Sequence, residues 1–108
     1  MSPCLPEFIR NYFAADAAGD AAILASCFLP DGTVGDEGQA IKGRAAIADW
    51  ISEAKRKYGH RSEPLSTFEA DGRIHVIARV TGNFPGSPAE LDHRFTLTPL
   101  GIANLEIG

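Results

Sequence analysis

The stretch FLPDGTVGD, residues Phe28–Asp36, marks the point at which the chain changes from helical to strand-like patterning. Its Pro30-Asp31-Gly32 predicts a turn, because proline presets φ, aspartate bonds the backbone and glycine tolerates a positive φ. After this turn, Val34 and Asp36 alternate onto one side of a short strand. We therefore expect helices before this stretch and a mainly strand-forming region after it, with Asp36 directed toward the interior that Val34 helps to form.

Two helices are predicted before the turn. The apolar residues of the first recur at helical spacing and should form one buried stripe. They are Leu5, Phe8, Ile9, Tyr12 and Phe13. Gly19 is expected to end this helix and Asp20 to cap a short second one. The stripe expected on the second helix consists of Ile23, Leu24, Cys27 and Phe28.

After the turn, short strands are predicted over residues 33–37 and 39–41, followed by a helix from about residue 44 to residue 58, which Gly59 ends. The buried stripe of this helix comprises Ile47, Trp50, Ile51, Ala54 and Tyr58, and Glu53 and Lys57 pair one turn apart on its exposed side. Asp71-Gly72 predicts a type I′ hairpin between strands at 60–70 and 73–83, and strands at 90–97 and 102–107 follow.

This order of elements predicts an α+β fold in which a curved antiparallel sheet packs its helices against one face. A cavity between the sheet and the helices is the natural consequence. The 108 residues, 44% of them hydrophobic and 22% charged, form one domain over residues 1–108.

Composition and spacing exclude several classes of function. The net charge of -4 and the pI near 5.2 argue against a nucleic-acid or membrane partner. Without a signal-peptide pattern or a long apolar run, the protein is expected to be cytoplasmic. Cys4, Cys27 and the three histidines show no metal-ligand spacing, and no glycine-rich nucleotide motif is present. We therefore expect no metal and no cofactor.

Four segments together resemble the nuclear transport factor 2-like superfamily, whose cone-shaped α+β fold includes ketosteroid isomerase and the SnoaL-like polyketide cyclases. They are residues 12–20, Phe28–Asp36, residues 42–47 ahead of Trp50, and residues 102–107. The resemblance covers nearly the whole chain. It implies a pocket for a small apolar molecule and suggests isomerase or cyclase chemistry next to a carbonyl group.

The resemblance to ketosteroid isomerase also implies roles for individual residues. Tyr12 falls where that family has its oxyanion-binding tyrosine, and Asp36 falls where it has its general base. Asp92-His93 stands where the family has a second, protonated aspartate that donates to the oxyanion. An apolar pocket would raise the pKa of the Asp36 carboxyl and make it a usable base near neutral pH.

One departure from the isomerase pattern concerns Asp92 and His93. His93 shares its parity along the strand with the apolar residues Leu91, Phe95 and Leu97. Alternation therefore points His93 inward and Asp92 outward, unless a bulge reverses the order. We favour His93 as the pocket residue and keep Asp92 as the alternative.

Each candidate also has a purely structural interpretation. Tyr12 could be ordinary core with its hydroxyl bonded to a protein group, and Asp36 could be a rim carboxylate that caps an amide. His93 could be an inward histidine bonded to protein groups alone. The remaining pocket wall is expected to come from Phe13, Val34, Trp50 and Phe95. Glu37 should face away from Asp36, which disfavours a paired-carboxylate site.

Two functions are consistent with these residues. The first is a cofactor-independent enzyme in which Asp36 removes a proton next to a carbonyl while Tyr12, with His93 or Asp92, stabilises the enolate. An epoxide hydrolase of the same superfamily fits less well, because the chain offers no obvious pocket arginine. The second is a non-catalytic module that binds an apolar ligand or dimerises. A homodimer would use the outer face of the sheet, through His75, Ile77, Arg79 and Thr81.

Overall fold

Helix and strand assignments come from a computed structural model that describes residues 4–36 and 38–108. The expectation for the direction of Glu37 lies outside the described residues. The helices are α1 (Glu7–Ala18), α2 (Ala21–Ser26) and α3 (Arg44–Tyr58). The strands are β1 (Phe28–Asp36), β2 (Gln39–Lys42), β3 (Arg61–Ala70), β4 (Arg73–Thr81), β5 (Ala89–Thr98) and β6 (Gly101–Ile107). The predicted α+β class is confirmed.

The structure confirms the predicted ends of α1 and α3, the cap of α2 and the turn between β3 and β4. Gly19 ends α1 at φ 70° and Gly59 ends α3 at φ 56°, both in the left-handed region that glycine adopts without strain. The Asp20 Oδ1 atom accepts a hydrogen bond from the Ile23 amide at 3.0 Å, which caps α2. Asp71 and Gly72 both have positive φ, as the type I′ turn between β3 and β4 requires.

The stretch around Pro30 differs from its prediction. Pro30-Asp31-Gly32 is part of the continuous strand β1, and Phe28 begins that strand instead of completing the stripe of α2. Between Phe28 and Thr33, β1 has more residues than the paired segment of β6, and the register between the two strands shifts there. A Cβ atom at Gly32 would lie 2.9 Å from the Phe28 Cβ, so glycine serves close packing there. Ile23, predicted to be buried, is 53% exposed.

The six strands form one curved, unclosed sheet in the order β2-β1-β6-β5-β4-β3. Every neighbouring pair is antiparallel except β1 and β6, which run parallel, so the expectation of a wholly antiparallel sheet is wrong at this one pair. The parallel pair arises because β6, the last strand, inserts between β1 and β5. No helix among the described residues is long and apolar enough to cross a membrane.

The hydrophobic core lies between the helices and the inner face of the sheet. Its fully buried side chains include Ile9, Leu24, Phe28, Ile47, Phe95 and Leu105. On the exposed side of α3, Glu53 forms an ion pair with Arg56, one turn away, in place of the predicted Lys57 pair.

The outer face of the sheet carries a paired imidazole and carboxylate. The His75 Nδ1 atom lies 3.0 Å from the Asp92 Oδ2 atom, and the Phe68 ring stacks on the imidazole at 4.6 Å between centroids. His75 is buried by these neighbours although it points away from the helices. Pairing of two copies through this face stays a prediction.

A matched pair of isoleucines tests the placement of the core. Ile47→Ala should lower the free energy of unfolding by about 2–5 kcal/mol, because it removes buried methylene groups and leaves a cavity. Ile23→Ala should change it by about 0.5 kcal/mol or less, since its side chain is half exposed. Urea denaturation followed by circular dichroism measures both. Equal losses in the two variants would contradict the arrangement of α2 and α3.

Candidate functional site

One cavity of about 920 Å³ opens between α3, β2 and the inner face of the sheet. Its wall is largely apolar and aromatic, with contributions from Ile41, Trp50, Ile51, Tyr58, Val80, Phe84 and Leu91. Tyr12, Asp36, His60 and His93 line the same cavity. This volume is sufficient for a drug-sized or multi-ring ligand.

Tyr12 reaches the cavity from α1 and is 3% exposed. Its ring packs edge-on against Phe13 and Phe95, with centroids 5.1 and 5.5 Å apart. No described residue accepts a hydrogen bond from its hydroxyl, which contrasts with a core tyrosine bonded to a protein group. Burial, and then the nearby Asp16 and Asp36 carboxylates, raise the pKa of Tyr12 well above its usual value. The hydroxyl therefore stays protonated and can donate a hydrogen bond to a ligand.

Asp36, the last residue of β1, is held by a side chain of α3. The indole Nε1–H of Trp50 donates to the Asp36 Oδ2 atom at 3.1 Å. Both residues are half-buried and line the cavity. Trp50 is thus more than the apolar wall that the sequence suggests, because it fixes the orientation of the carboxylate predicted to act as the base.

His93 lies on β5 with its imidazole buried in the cavity wall. Its Nδ1 atom is 3.2 Å from the Leu91 carbonyl oxygen. Burial lowers the pKa of His93 despite this hydrogen bond, so the ring is neutral near pH 7. A carbonyl can only accept, so Nδ1 carries the proton and Nε2 carries a lone pair. His93 is therefore an acceptor or a base toward the cavity rather than an oxyanion donor.

Asp92 points to the opposite face of the sheet. Its carboxylate contacts His75 and lies 3.5 Å from the Arg94 Nη1 atom. The strand keeps regular antiparallel register with β4 through this segment, so no bulge reverses the alternation. The structure therefore brings Tyr12, Asp36 and His93 to one cavity and leaves Asp92 outside it.

Three of the predicted wall residues lie behind the wall. Phe13, Val34 and Phe95 belong to the buried core cluster and do not border the cavity. Trp50 does border it. The strand and helix periodicities identify inward residues correctly, but they do not separate those that meet core side chains from those that meet the cavity.

A group that sequence reasoning missed lies where α1, α3 and the start of β3 meet. The Asp16 Oδ1 atom is 3.1 Å from the His60 Nε2 atom and 3.3 Å from the Lys55 Nζ atom. Asp16 is 2% exposed, and its Oδ2 atom has no hydrogen-bond partner among the described residues. The available signal was the spacing of Tyr12 and Asp16, which places both on one face of α1.

Burial opposes ionisation of Asp16, but other effects outweigh it. The hydrogen bond from His60, and then the positive charge of Lys55 and its hydrogen bond, lower the pKa of the Asp16 carboxyl below its usual value. Asp16 is therefore ionised at neutral pH. Among the described residues, no group of three or more histidine, cysteine or acidic side chains is arranged to hold a metal ion.

Comparison with known proteins identifies the family of this chain. The family model for the SnoaL-like domain matches residues 9–98. The chain belongs to the SnoaL-like family. A proposed polyketide cyclase from Sinorhizobium meliloti is 39% identical, with a TM-score of 0.91 over 96% of this chain and 95% of that one. No protein with a curated description matches the sequence significantly.

More distant structures share the fold of this SnoaL-like domain. A protein with a ketosteroid isomerase-like fold from Catenulispora acidiphila, crystallised with trimethylamine, is 19% identical, with a TM-score of 0.84 over 97% of this chain and 86% of that one. A proposed polyketide cyclase from Xanthomonas campestris is 17% identical, with a TM-score of 0.77 over 93% and 85%. Family and fold support a domain of ligand-binding or isomerase and cyclase type.

The buried ion pair of this SnoaL-like domain should make its stability depend on acid. Because the folded-state pKa of Asp16 is depressed, its contribution is fully present above its unfolded-state pKa and is lost as the pH falls through the folded-state value. Asp16→Asn should therefore cost about 1.5–3 kcal/mol at pH 7, and the difference from wild type should shrink below about pH 4.

Urea denaturation at pH 7 and at several acidic pH values measures this difference. Asp49→Asn, at an exposed carboxylate on α3, is the matched control and should change little at any pH. A deficit of Asp16→Asn that stays constant from pH 7 to pH 3 would contradict the ionised pair.

Proposed function

We propose that the cavity binds a small, largely apolar carbonyl compound and catalyses proton transfer next to the carbonyl group without a cofactor. The single observation that carries the proposal is the Tyr12 hydroxyl, a donor on an otherwise buried side chain that borders the cavity and has no acceptor among the described residues. Buried polar groups are almost always hydrogen-bonded, so this donor is suited to a ligand oxygen.

The chemical step uses two groups that line the cavity, Asp36 and Tyr12. The Asp36 carboxylate removes a proton from the carbon next to the carbonyl, and the electron pair of that C–H bond moves into the carbonyl system to form an enolate. The Tyr12 hydroxyl donates a hydrogen bond to the enolate oxygen, where the charge develops. Return of the proton from Asp36 to a conjugated carbon completes an isomerisation, whereas return to the same carbon regenerates the ketone and gives hydrogen exchange in D2O.

Trp50 supports this step by fixing the base. Its hydrogen bond to one carboxylate oxygen leaves the direction of the Asp36 side chain defined by α3. A base held in place loses less orientational freedom when the substrate binds. The 39% identity to a proposed polyketide cyclase supports the same class of chemistry.

The alternative is a binding module without catalysis. The apolar wall and the volume of about 920 Å³ favour ligand binding under either interpretation. Trp50 is the sole tryptophan and lines the cavity, so quenching of its fluorescence reports binding directly. Saturable binding of an apolar ketone with no catalysed proton exchange would support this alternative.

Exchange of hydrogen for deuterium in a simple ketone tests the proposal without knowledge of the natural substrate. We expect wild type to accelerate exchange of the α-protons of 2-tetralone in D2O, followed by proton NMR. Asp36→Asn should reduce the catalysed rate by roughly 10²–10⁴-fold. Tyr12→Phe should reduce it by roughly 10²–10³-fold.

Asp92→Asn is the matched control, because the same chemical change is made on the opposite face of the sheet. Its exchange rate should equal that of wild type. A catalysed rate that survives Asp36→Asn, or falls equally in Asp92→Asn, would overturn the assignment of Asp36 as the base.

A further inference from the structure

His60 connects the cavity to a buried carboxylate that the proposed proton transfer at Asp36 does not use. Its imidazole borders the cavity, while its Nε2 atom lies 3.1 Å from the Asp16 Oδ1 atom behind the wall. Lys55 binds the same carboxylate oxygen and also donates to the His60 backbone carbonyl. Side chains from two helices, α1 and α3, therefore hold His60.

The partners of His60 determine what the ring presents to a ligand. The ionised Asp16 carboxylate can only accept a hydrogen bond, so Nε2 carries a proton. In the neutral ring, Nδ1 then carries the lone pair, and no described residue donates a hydrogen bond to it. Asp16 itself lines a separate, smaller cavity of about 200 Å³, so it reaches the main cavity only through His60.

We propose that the His60 Nδ1 atom is a second proton acceptor of the cavity, which binds a hydroxyl group of the ligand, and that Asp16 is its positioning residue. This inference rests on the proposed function in needing a ligand in the cavity, but it does not require Asp36 to act as a base. Lys55 contributes by keeping Asp16 ionised and by fixing the backbone at His60.

Three of the polar groups that line the cavity indicate the class of ligand. They are Tyr12, His60 and His93, while the exposed side chains of Gln39, Lys42, Asp49, Glu53 and Lys57 also border the cavity. Tyr12 donates a hydrogen bond, which suits a carbonyl oxygen. His60 and His93 each present a ring nitrogen with a lone pair, because Asp16 and the Leu91 carbonyl hold their other nitrogens. The cavity therefore favours an apolar skeleton that carries a carbonyl and at least one phenolic or enolic hydroxyl over a simple ketone.

A proton transfer from the ligand hydroxyl to His60 conserves atoms and charge within the cavity. The hydroxyl proton moves to the His60 Nδ1 atom, and the electron pair of the O–H bond stays on oxygen as a phenolate or enolate. The ring becomes an imidazolium whose charge is next to the Asp16 carboxylate. Return of the proton to the same oxygen or to a conjugated carbon restores neutral His60.

A pair of probes in which a methyl group replaces the hydroxyl proton tests this assignment. 4-Ethylphenol and its methyl ether, 4-ethylanisole, share one skeleton, and the change in Trp50 fluorescence measures the dissociation constant of each at about pH 8, where an alkylphenol is un-ionised and an ordinary histidine is neutral. Wild type should bind the phenol more tightly than the ether, by up to roughly tenfold, the worth of one hydrogen bond. His60→Phe should abolish this preference and leave the ether's affinity within about twofold of wild type.

His75→Phe is the matched control. His75 is also paired with a carboxylate, but on the outer face of the sheet, so its loss should preserve the preference for the phenol. Equal affinity of wild type for both probes, or no binding of either, would overturn the proposal. A preference that persists in His60→Phe would overturn it as well.

Nitrogen-15 NMR of the histidine rings tests the role of Asp16 in the unmodified protein. At about pH 8, free wild type should show His60 protonated at Nε2 and unprotonated at Nδ1, and 4-ethylphenol but not 4-ethylanisole should shift the Nδ1 resonance. Asp16→Asn should change the tautomer distribution of His60, which a purely structural role would not require. A Nδ1-protonated ring in wild type would overturn the assignment.

These measurements separate the two proposals. If Asp36→Asn leaves ketone exchange unchanged while His60→Phe removes the preference for the phenol, the proton-transfer function fails and the hydroxyl site stands. If Asp36→Asn abolishes exchange while the phenol and the ether bind equally, the hydroxyl site fails and the proton-transfer function stands.

Discussion

The contact of α1 with the inner face of β5 is the interaction on which the rest of the structure depends. Tyr12 and Phe13 pack edge-on against Phe95, and Phe13 also contacts the ring of His93. This packing closes the core on one side and holds the polar tip of Tyr12 at the cavity. Because aromatic edges and faces attract only in particular geometries, the cluster fixes the angle of the helix as well as its depth.

Three polar side chains at the cavity each bond a protein group through one polar atom and carry a second one. Trp50 orients Asp36, the Leu91 carbonyl orients His93, and Asp16 orients His60. For the two histidines, the anchor also determines which ring nitrogen carries the proton. This separation between anchor and reactive atom is what pre-organised sites require, since the protein supplies the ordering before the ligand arrives.

Patterns along the sequence predicted most of the secondary structure, and the failures have a common cause. The bounds of α3, the cap at Asp20 and the Asp71-Gly72 hairpin follow from interactions within a few residues. Pro30-Asp31-Gly32 does not end the strand, because residues on both sides of it pair: Phe28 with β6, and the segment from Thr33 with β2 and β6. Since strand neighbours are distant in sequence, local reasoning could not foresee the parallel pair of β1 and β6 either.

The sequence by itself determined the α+β class, the inward direction of Tyr12, Asp36 and His93, and the outward direction of Asp92, because alternation and helical spacing are local properties of the backbone. Only the tertiary structure decided that Phe95 belongs to the core, that Trp50 bonds Asp36, and that His60 meets Asp16 across 44 positions. These contacts depend on how α1, α3 and the sheet pack, and a cavity exists only where that packing leaves space.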